Sequence, residues 1–386
     1  MLRVAIVGCG KIADQHADHL AALPNCELVG VCDREELMAV QLRERFGVRA
    51  HYIDLEHMLK DARPDVVHIT TPPQTHHSIA LQCLQAGCHV YVEKPFTVNH
   101  RDAEELIAFA DGRRLKVTVG QYAQCSHVAR RMRALIQSGY LGGPPIHIES
   151  YYCYDLGDPA YAKALLGDPH HWVRGLPGGL LQNTISHGIG KIAEFLGSDR
   201  PTVITTGFTS QALRSVGEHR IIDELRTIIH DGSMTAYFTF SSQMRPTLHH
   251  LRVFGPKNAI CIDENQQTLI KLRGARYKSY LEKFIPPYSI AKQYMGNLAH
   301  NTKLFLRNDF QEGHGMRELI SAFHASILSG GPAPISSREI LLTSRIMDEI
   351  FSQLSSGQSS SSEVPLLQPV VQSCEPAGFE VENKEA

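Results

Sequence analysis

Two short stretches hold the residue types that proton chemistry would need. Glu93-Lys94-Pro95 closes the apolar run His89 to Val92, and Asn183 precedes His187 by four residues. A lysine drawn into a cleft loses hydration, and burial or a neighbouring cation lowers its pKa, so it can exchange a proton near neutral pH. A solvated loop lysine paired with Glu93 is the competing reading of Lys94. On a helix, residues four apart share a face, so Asn183 and His187 would point the same way. His187 reads either as an acid–base imidazole or as a hydrogen-bonded structural histidine near a helix start. Just upstream, His170-His171-Trp172-Val173-Arg174 contains the chain's one tryptophan. An indole face packs against a sugar ring and a guanidinium binds a phosphate or carboxylate, but both side chains could equally seal an interface between domains.

A second set of residues would hold a dinucleotide. Gly8-Cys9-Gly10-Lys11-Ile12-Ala13 follows an apolar run and opens a helical pattern. Gly8 allows a tight turn, Gly10 lets the backbone approach a pyrophosphate, and the small Ala13 lets helix pack on strand, with Lys11 and Ile12 at the helix N-terminus facing the phosphates. The next strand ends in Cys32-Asp33-Arg34, placing a carboxylate where it would accept hydrogen bonds from the adenosine ribose. Asp33 favours NAD, because it repels a 2′-phosphate; Arg34 could hold one, so NADP stays open. Thr70-Thr71-Pro72-Pro73-Gln74-Thr75-His76 follows the third long strand and brings Thr71, Pro72 and His76 to the same edge.

The elements that must position these residues are legible as patterns. Strands at Val4–Val7, Glu27–Cys32, Val66–Thr70, His89–Val92 and Lys116–Val119 alternate with helices, which implies a doubly wound parallel sheet over residues 1–122. From 123 to 354 the pattern becomes that of an α+β domain. A long alternating run, Ile146–Tyr154, precedes a helix over Leu181–Leu196, and then several short runs predict a mostly antiparallel sheet with one open face. That face would serve a homodimer or homotetramer. Helices are expected at His314–Ser329 and Ser337–Leu354, the last packing back on the first domain, with a disordered tail over 355–386.

Composition excludes several classes. A net charge of -2 leaves no footprint for nucleic acid, and no apolar run is long enough for a membrane span or signal peptide. The nine scattered cysteines read as reduced thiols of a cytoplasmic protein. Cys83 and Cys88 lack a partner pair at zinc spacing, and no metal site is expected among the 21 histidines.

Taken together, Gly8 to Ala13, Thr71-Pro72 with His76, Glu93-Lys94-Pro95, and Gly178-Gly179 with His187 resemble the Gfo/Idh/MocA family, which includes glucose-fructose oxidoreductase and inositol dehydrogenase. The resemblance runs from about Arg3 to Leu354. It implies NAD(P)-dependent hydride transfer to or from a secondary alcohol of a sugar, polyol or nucleotide sugar. Lys94 and His187 would be catalytic, assisted by Asn183, and Glu93, Lys94 and Gln121 would adjoin the cofactor. Tyr122, Trp172 and Arg174 would meet the substrate together with Lys94, Asn183 and His187. The chain departs from the family pattern at Asn183 and Gly190, where many relatives carry aspartate, and at Gln121-Tyr122, where many have an Asn-Arg-Phe-like segment. An amide cannot accept a proton, so a base role falls to His187 or Lys94. Two other activities fit such a pattern: NAD-assisted glycoside cleavage through transient oxidation, and non-catalytic NAD sensing.

Overall fold

The β-branched runs of the N-terminal third pair in parallel in the computed structural model, which describes residues 1–156, 167–168, 170–274, 276–310 and 313–358. The strands are β1 (Leu2–Val7), β2 (Cys26–Cys32), β3 (His51–Tyr52), β4 (Val66–Ile69), β5 (His89–Val92) and β6 (Val117–Val119). Their order across the sheet is β3-β2-β1-β4-β5-β6. Val4, Ala5 and Ile6 of β1 are all buried, as expected of a central strand covered by helices on both faces. Those helices are α1 (Lys11–Ala21), α2 (Glu36–Phe46), α3 (Leu55–Ala62), α4 (His76–Gln85) and α5 (His100–Gly112). Strand order reverses between β1 and β4, so the loops leaving those strands diverge and open a crevice at their carboxyl ends. Sequence periodicity had not revealed β3 or α3. The strand has only two residues, and α3 is started by Asp54, whose carboxylate accepts the His57 N–H at 2.8 Å.

The second sheet follows α6 (His127–Gln137) and has the order β13-β12-β11-β7-β10-β9-β8. Its strands are β7 (His147–Tyr152), β8 (Thr202–Phe208), β9 (Glu224–His230), β10 (Thr235–Ser241), β11 (His249–Phe254), β12 (Asn258–Asp263) and β13 (Thr268–Arg273). Every pairing is antiparallel except β7 with β10. One face packs Ile148, Phe238 and Leu251 into a core with Ile185 and Ile189. The other leaves Ile204, Phe208, Ile228 and Tyr237 exposed. The helix predicted over Leu181–Leu196 is divided at Ile185 into α7 (Gly179–Thr184) and α8 (Ser186–Ala193).

After the short α9 (Gln211–Ser215), three long helices complete the structure: α10 (Ile285–Leu306), α11 (His314–Ser329) and α12 (Ser337–Gln358). Met316, Leu319, Ile320 and Phe323 of α11 enter the core of the parallel sheet. Burying each such side chain contributes roughly 1.5–3 kcal/mol. Helix α12 bridges both cores, with Ile340 in the first and Ile346, Ile350 and Phe351 in the second. It runs past Leu354 to Gln358, into the segment expected as tail; residues 359–386 lie outside the described residues, as do residues 157–166 between β7 and α7. Helix α10 is inverted relative to an ordinary surface helix. Gln293, Asn297 and Asn301 face the protein and hydrogen-bond to backbone of Lys271, Leu269 and Gln266, while Tyr288, Met295, Leu298 and Phe305 point outward. No helix among the described residues is long and apolar enough to cross a membrane.

Candidate functional site

The crevice at the carboxyl edge of the parallel sheet is a cleft of about 930 Å³. At its floor β1 ends in Gly8, whose φ of +94 turns the chain sharply, and the Gly8 N–H donates to the Cys32 carbonyl at 2.8 Å. Gly10 caps α1 with backbone alone, leaving the first N–H groups of the helix, at Lys11 and Ile12, beside the cleft. Unpaired N–H groups and the helix dipole together favour an anion there. A Cβ on Gly10 would meet no protein atom within 4 Å, so the space beside it is free for a ligand. Ala13 is fully buried against the sheet.

Asp33 is fixed in place by two backbone donors, Cys9 N–H at 2.7 Å and Glu35 N–H at 3.0 Å. Arg34 lines the cleft beside it, as do Ile53 and Asp54 from the β3–α3 connection. These last two were missed from sequence; the one available signal was Asp54 standing as an N-cap before Leu55-Glu56-His57. Across the floor Thr71 and Pro72 line the cleft, and the Thr75 hydroxyl donates to the Thr71 hydroxyl at 2.8 Å.

Lys94 leaves the end of β5 and enters the same cleft, partly open to it. Its Nζ donates to the Asn183 carbonyl at 3.1 Å and to Asn183 Oδ1 at 3.4 Å. Burial lowers the lysine below its ordinary value, and the adjacent Glu93 carboxylate offsets part of that. Burial alone would raise Glu93, but the hydrogen bond from His16 and the charge of Lys94 leave it below the usual carboxylate range. Gly120 is required beside it, since a Cβ there would collide with Glu93 Oε1. Tyr122 and Trp172 complete the wall, and Trp172 is held over the cleft by Gln74, whose amide donates to its carbonyl at 3.0 Å.

Four expected site residues are not brought to this cleft. His187 is sealed behind Tyr122, 3% exposed, with its ring 4.9 Å from the Tyr122 ring and 5.4 Å from that of Tyr152. Burial, and after it the charges of Lys94 and Lys191, hold it well below the normal imidazole range, so the ring is neutral. His76 is buried, its ring nitrogens 2.8 Å from the Thr71 carbonyl and 2.9 Å from that of Pro95, where it clamps the two loops that carry Thr71 and Lys94. Gln121 is buried over Gly190: a Cβ on that glycine would sit 2.7 Å from Gln121 Oε1. The two departures from the family pattern therefore fill one another's space. Arg174 pairs with Glu218 at 2.9 Å and lines a neighbouring cleft of about 460 Å³.

Tyr122 also forms a wall of a further chamber of about 430 Å³, whose lining includes Tyr152, His249 and Glu264. Glu264 pairs with Lys191, a lysine 3% exposed one turn beyond His187 on α8. Lys191, His249 and Glu264 lie in stretches whose periodicity suggested only core or turn, and nothing in their spacing marked them.

A βαβ glycine loop, a fixed carboxylate after β2 and a desolvated lysine, all in one cleft, have the layout of a Rossmann dinucleotide site. Residues 2–121 match the model of the Gfo/Idh/MocA oxidoreductase family, NAD-binding Rossmann fold. That match spans the first domain and leaves residues 122–386 outside it. The chain is 40% identical to D-glucoside 3-dehydrogenase of Escherichia coli over 106 residues, 27% of this chain and 30% of that one, so the match spans less than half of that relative's length. It is 21% identical to myo-inositol 2-dehydrogenase of Thermotoga maritima over 319 residues, 80% of this chain and 88% of the other. The WlbA dehydrogenase from Bordetella pertussis, solved in complex with NADH and UDP-GlcNAcA, shares the fold with a TM-score of 0.71 at 18% identity, covering 92% of this chain and 96% of that structure.

Proposed function

We propose that the chain is an NAD-dependent dehydrogenase that moves hydride reversibly between nicotinamide and a secondary alcohol of a sugar, polyol or nucleotide sugar. The observation that carries this reading is Lys94 Nζ in the same cleft as the Gly8–Ala13 loop, desolvated and oriented by Asn183. The open backbone at Gly10, the free N–H groups of α1 and the pinned Asp33 fit a dinucleotide, and Asp33 supports NAD over NADP because its carboxylate would face a 2′-phosphate. Bound nicotinamide supplies the hydride acceptor or donor.

The residues of the chain supply the rest. Lys94 takes the hydroxyl proton during oxidation and returns it during reduction, while Asn183 keeps its ammonium in place. Trp172 offers an apolar face to the sugar ring. Neutral, buried His187 acts through Tyr122 as a positioning residue. The substrate's far portion extends past Tyr122 into the chamber lined by His249 and Glu264. Two of the relatives named above, a D-glucoside 3-dehydrogenase and a myo-inositol 2-dehydrogenase, support a sugar-like substrate. The uncovered sheet face with Ile204, Phe208, Ile228 and Tyr237 is the proposed contact for a second copy. An absorbance screen at the nicotinamide band, with NAD or NADP against hexoses, inositols, glucosides and UDP-sugars, tests the reading. It predicts turnover with NAD on at least one of them; cofactor binding without turnover on any would overturn it.

A further inference from the structure

A row of buried titratable groups leads away from the cleft through the core of the parallel sheet, and hydride transfer as described above makes no use of it. Glu93 Oε1 lies 3.1 Å from His16 Nε2. His16 Nδ1 lies 2.9 Å from His68 Nδ1, and His68 Nε2 lies 3.0 Å from His324 Nε2. His324 Nδ1 in turn lies 2.8 Å from Cys26 Sγ. His16 and His68 are fully buried and His324 is 3% exposed, whereas Cys26, at the start of β2, is partly open. The five residues come from five separate elements, α1, β4, α11, the start of β2 and the end of β5. Tyr91 fixes the middle of the row, stacking on His68 at 4.7 Å and meeting His16 edge-on at 5.1 Å.

One arrangement of hydrogen atoms satisfies this row with neutral imidazoles throughout. An ionised carboxylate only accepts, so His16 carries a proton on Nε2, and in the neutral tautomer its Nδ1 is the acceptor. His68 must then donate from Nδ1 and accept at Nε2, His324 must donate from Nε2, and the thiol of Cys26 donates to its Nδ1. Every hydrogen bond is satisfied by three neutral imidazoles, one thiol and one carboxylate. The environment agrees: burial holds His68 well below the ordinary imidazole range and His324 at about 4, and pushes the Cys26 thiol up to about 11.

We propose that Cys26, His324, His68, His16 and Glu93 form a proton-conducting row that connects the floor of the cofactor cleft with solvent at the amino-terminal edge of the sheet, where β2 begins. In one passage toward the cleft, the His16 Nε2 proton moves to Glu93 Oε1, the His68 Nδ1 proton to His16 Nδ1, the His324 Nε2 proton to His68 Nε2, and the Cys26 thiol proton to His324 Nδ1. Water then reprotonates the thiolate. The net change is one proton carried from solvent to the carboxylate, with no electron transfer, and the reverse sequence returns it. The use of this proton to replenish Lys94 during carbonyl reduction rests on the dehydrogenase reading; conduction itself does not.

The test needs no substrate. The full-length, NAD-loaded protein, labelled with ¹⁵N in histidine, is transferred to D₂O, and loss of the ring N–H signals of His16 and His68 is followed by NMR beside the backbone amides of β1 and β4. Amides of central strands exchange only through large openings, whereas a conducting row exchanges by hopping. Ring protons of His16 and His68 are therefore expected to exchange about tenfold or more faster than those amides. His324→Gln keeps a donor beside His68 but cannot pass a proton through itself, so ring exchange should fall toward the amide rate while the amides stay unchanged. Cys26→Ser, which retains a transferable proton, should leave ring exchange fast. Wild-type ring protons as slow as the amides would overturn the proposal, and so would fast exchange that His324→Gln leaves untouched. If His324→Gln does not fold, wild-type against Cys26→Val decides, with slowing expected in the latter. A protein that conducts but oxidises no sugar would retain the row and lose the dehydrogenase reading.

Discussion

Gly8 and Gly10 sit two residues apart in one loop, yet the structure assigns them separate penalties, and alanine at each position separates folding from cofactor binding. At Gly8 the backbone has φ +94, and a Cβ would lie 2.7 Å from Thr71 Cγ2, 2.8 Å from Thr71 N and 2.9 Å from Thr70 C. The left-handed conformation costs a non-glycine residue about 1–2 kcal/mol. The overlap is largely with backbone, which cannot swing aside, and adds about 1–3 kcal/mol of the kind measured for overpacked cores. Gly8→Ala should therefore lose about 2–5 kcal/mol of stability and displace the Thr71 loop, weakening NADH as well. Gly10 has φ -78 and ψ -174, extended backbone open to any residue, and its Cβ would meet nothing of the protein. Gly10→Ala should cost no more than about 1 kcal/mol of stability, the loss of a good N-cap. Its methyl group would occupy the side from which the pyrophosphate approaches, so NADH affinity should fall about tenfold or more, or 1.4 kcal/mol and upward. Differential scanning calorimetry and NADH fluorescence titration read the two quantities independently. Wild-type NADH affinity in Gly10→Ala would refute the assignment of this loop to the dinucleotide.

Other consequences follow from the same geometry. Because burial lowers Lys94, its neutral base form is present at lower pH than in a free lysine, so the oxidation rate should rise with pH and level off below the ordinary value of 10.5. Asn183→Asp places a carboxylate against Nζ, favours the charged form and should move that limb up by about one pH unit; an unmoved limb would dissociate Lys94 from it. Gly190→Ala should destabilise by about 1–3 kcal/mol through overlap with Gln121, and Gln121→Ala in the same chain should restore most of the loss; additive losses in denaturant melts would contradict the shared space. His68, His187 and His324 are all held below the ordinary 6.5 by burial. Between that value and their folded-state values the unfolded chain binds more protons, so stability is present above pH 6.5 and declines as pH falls. Each contributes a slope approaching 1.4 kcal/mol per pH unit, and the three together about 3 kcal/mol between pH 6 and 5. Urea melts across that range that show no decline would contradict neutral burial.

Much of this was legible in the residues because local physics sufficed. The phosphate loop depends on Gly8, Gly10 and Ala13 within one strand–turn–helix unit, and Asp33 on the end of the next strand. The limits of α11 are those read from periodicity, since Gly330 stops a helix whose apolar face is unbroken. What escaped is tertiary. Helix α10 carries two prolines in its first turn and buries amides rather than apolar groups, so its periodicity signals no inward face. Gly190 and Gln121 looked like two losses until they proved to share one volume. The row from Glu93 to Cys26 joins residues up to 298 positions apart, and no spacing rule connects them. His187 shared a helical face with Asn183 in pattern, but the break at Ile185 and the ring of Tyr122 place it behind the cleft wall.

The central claim is that Lys94 exchanges the proton of an alcohol whose hydride goes to nicotinamide. Turnover of Lys94→Ala, compared with wild type on a sugar or polyol that the screen identifies, tests it most directly. The account predicts a fall in kcat of about 10²- to 10⁴-fold with NADH affinity retained; wild-type turnover in that variant would contradict it.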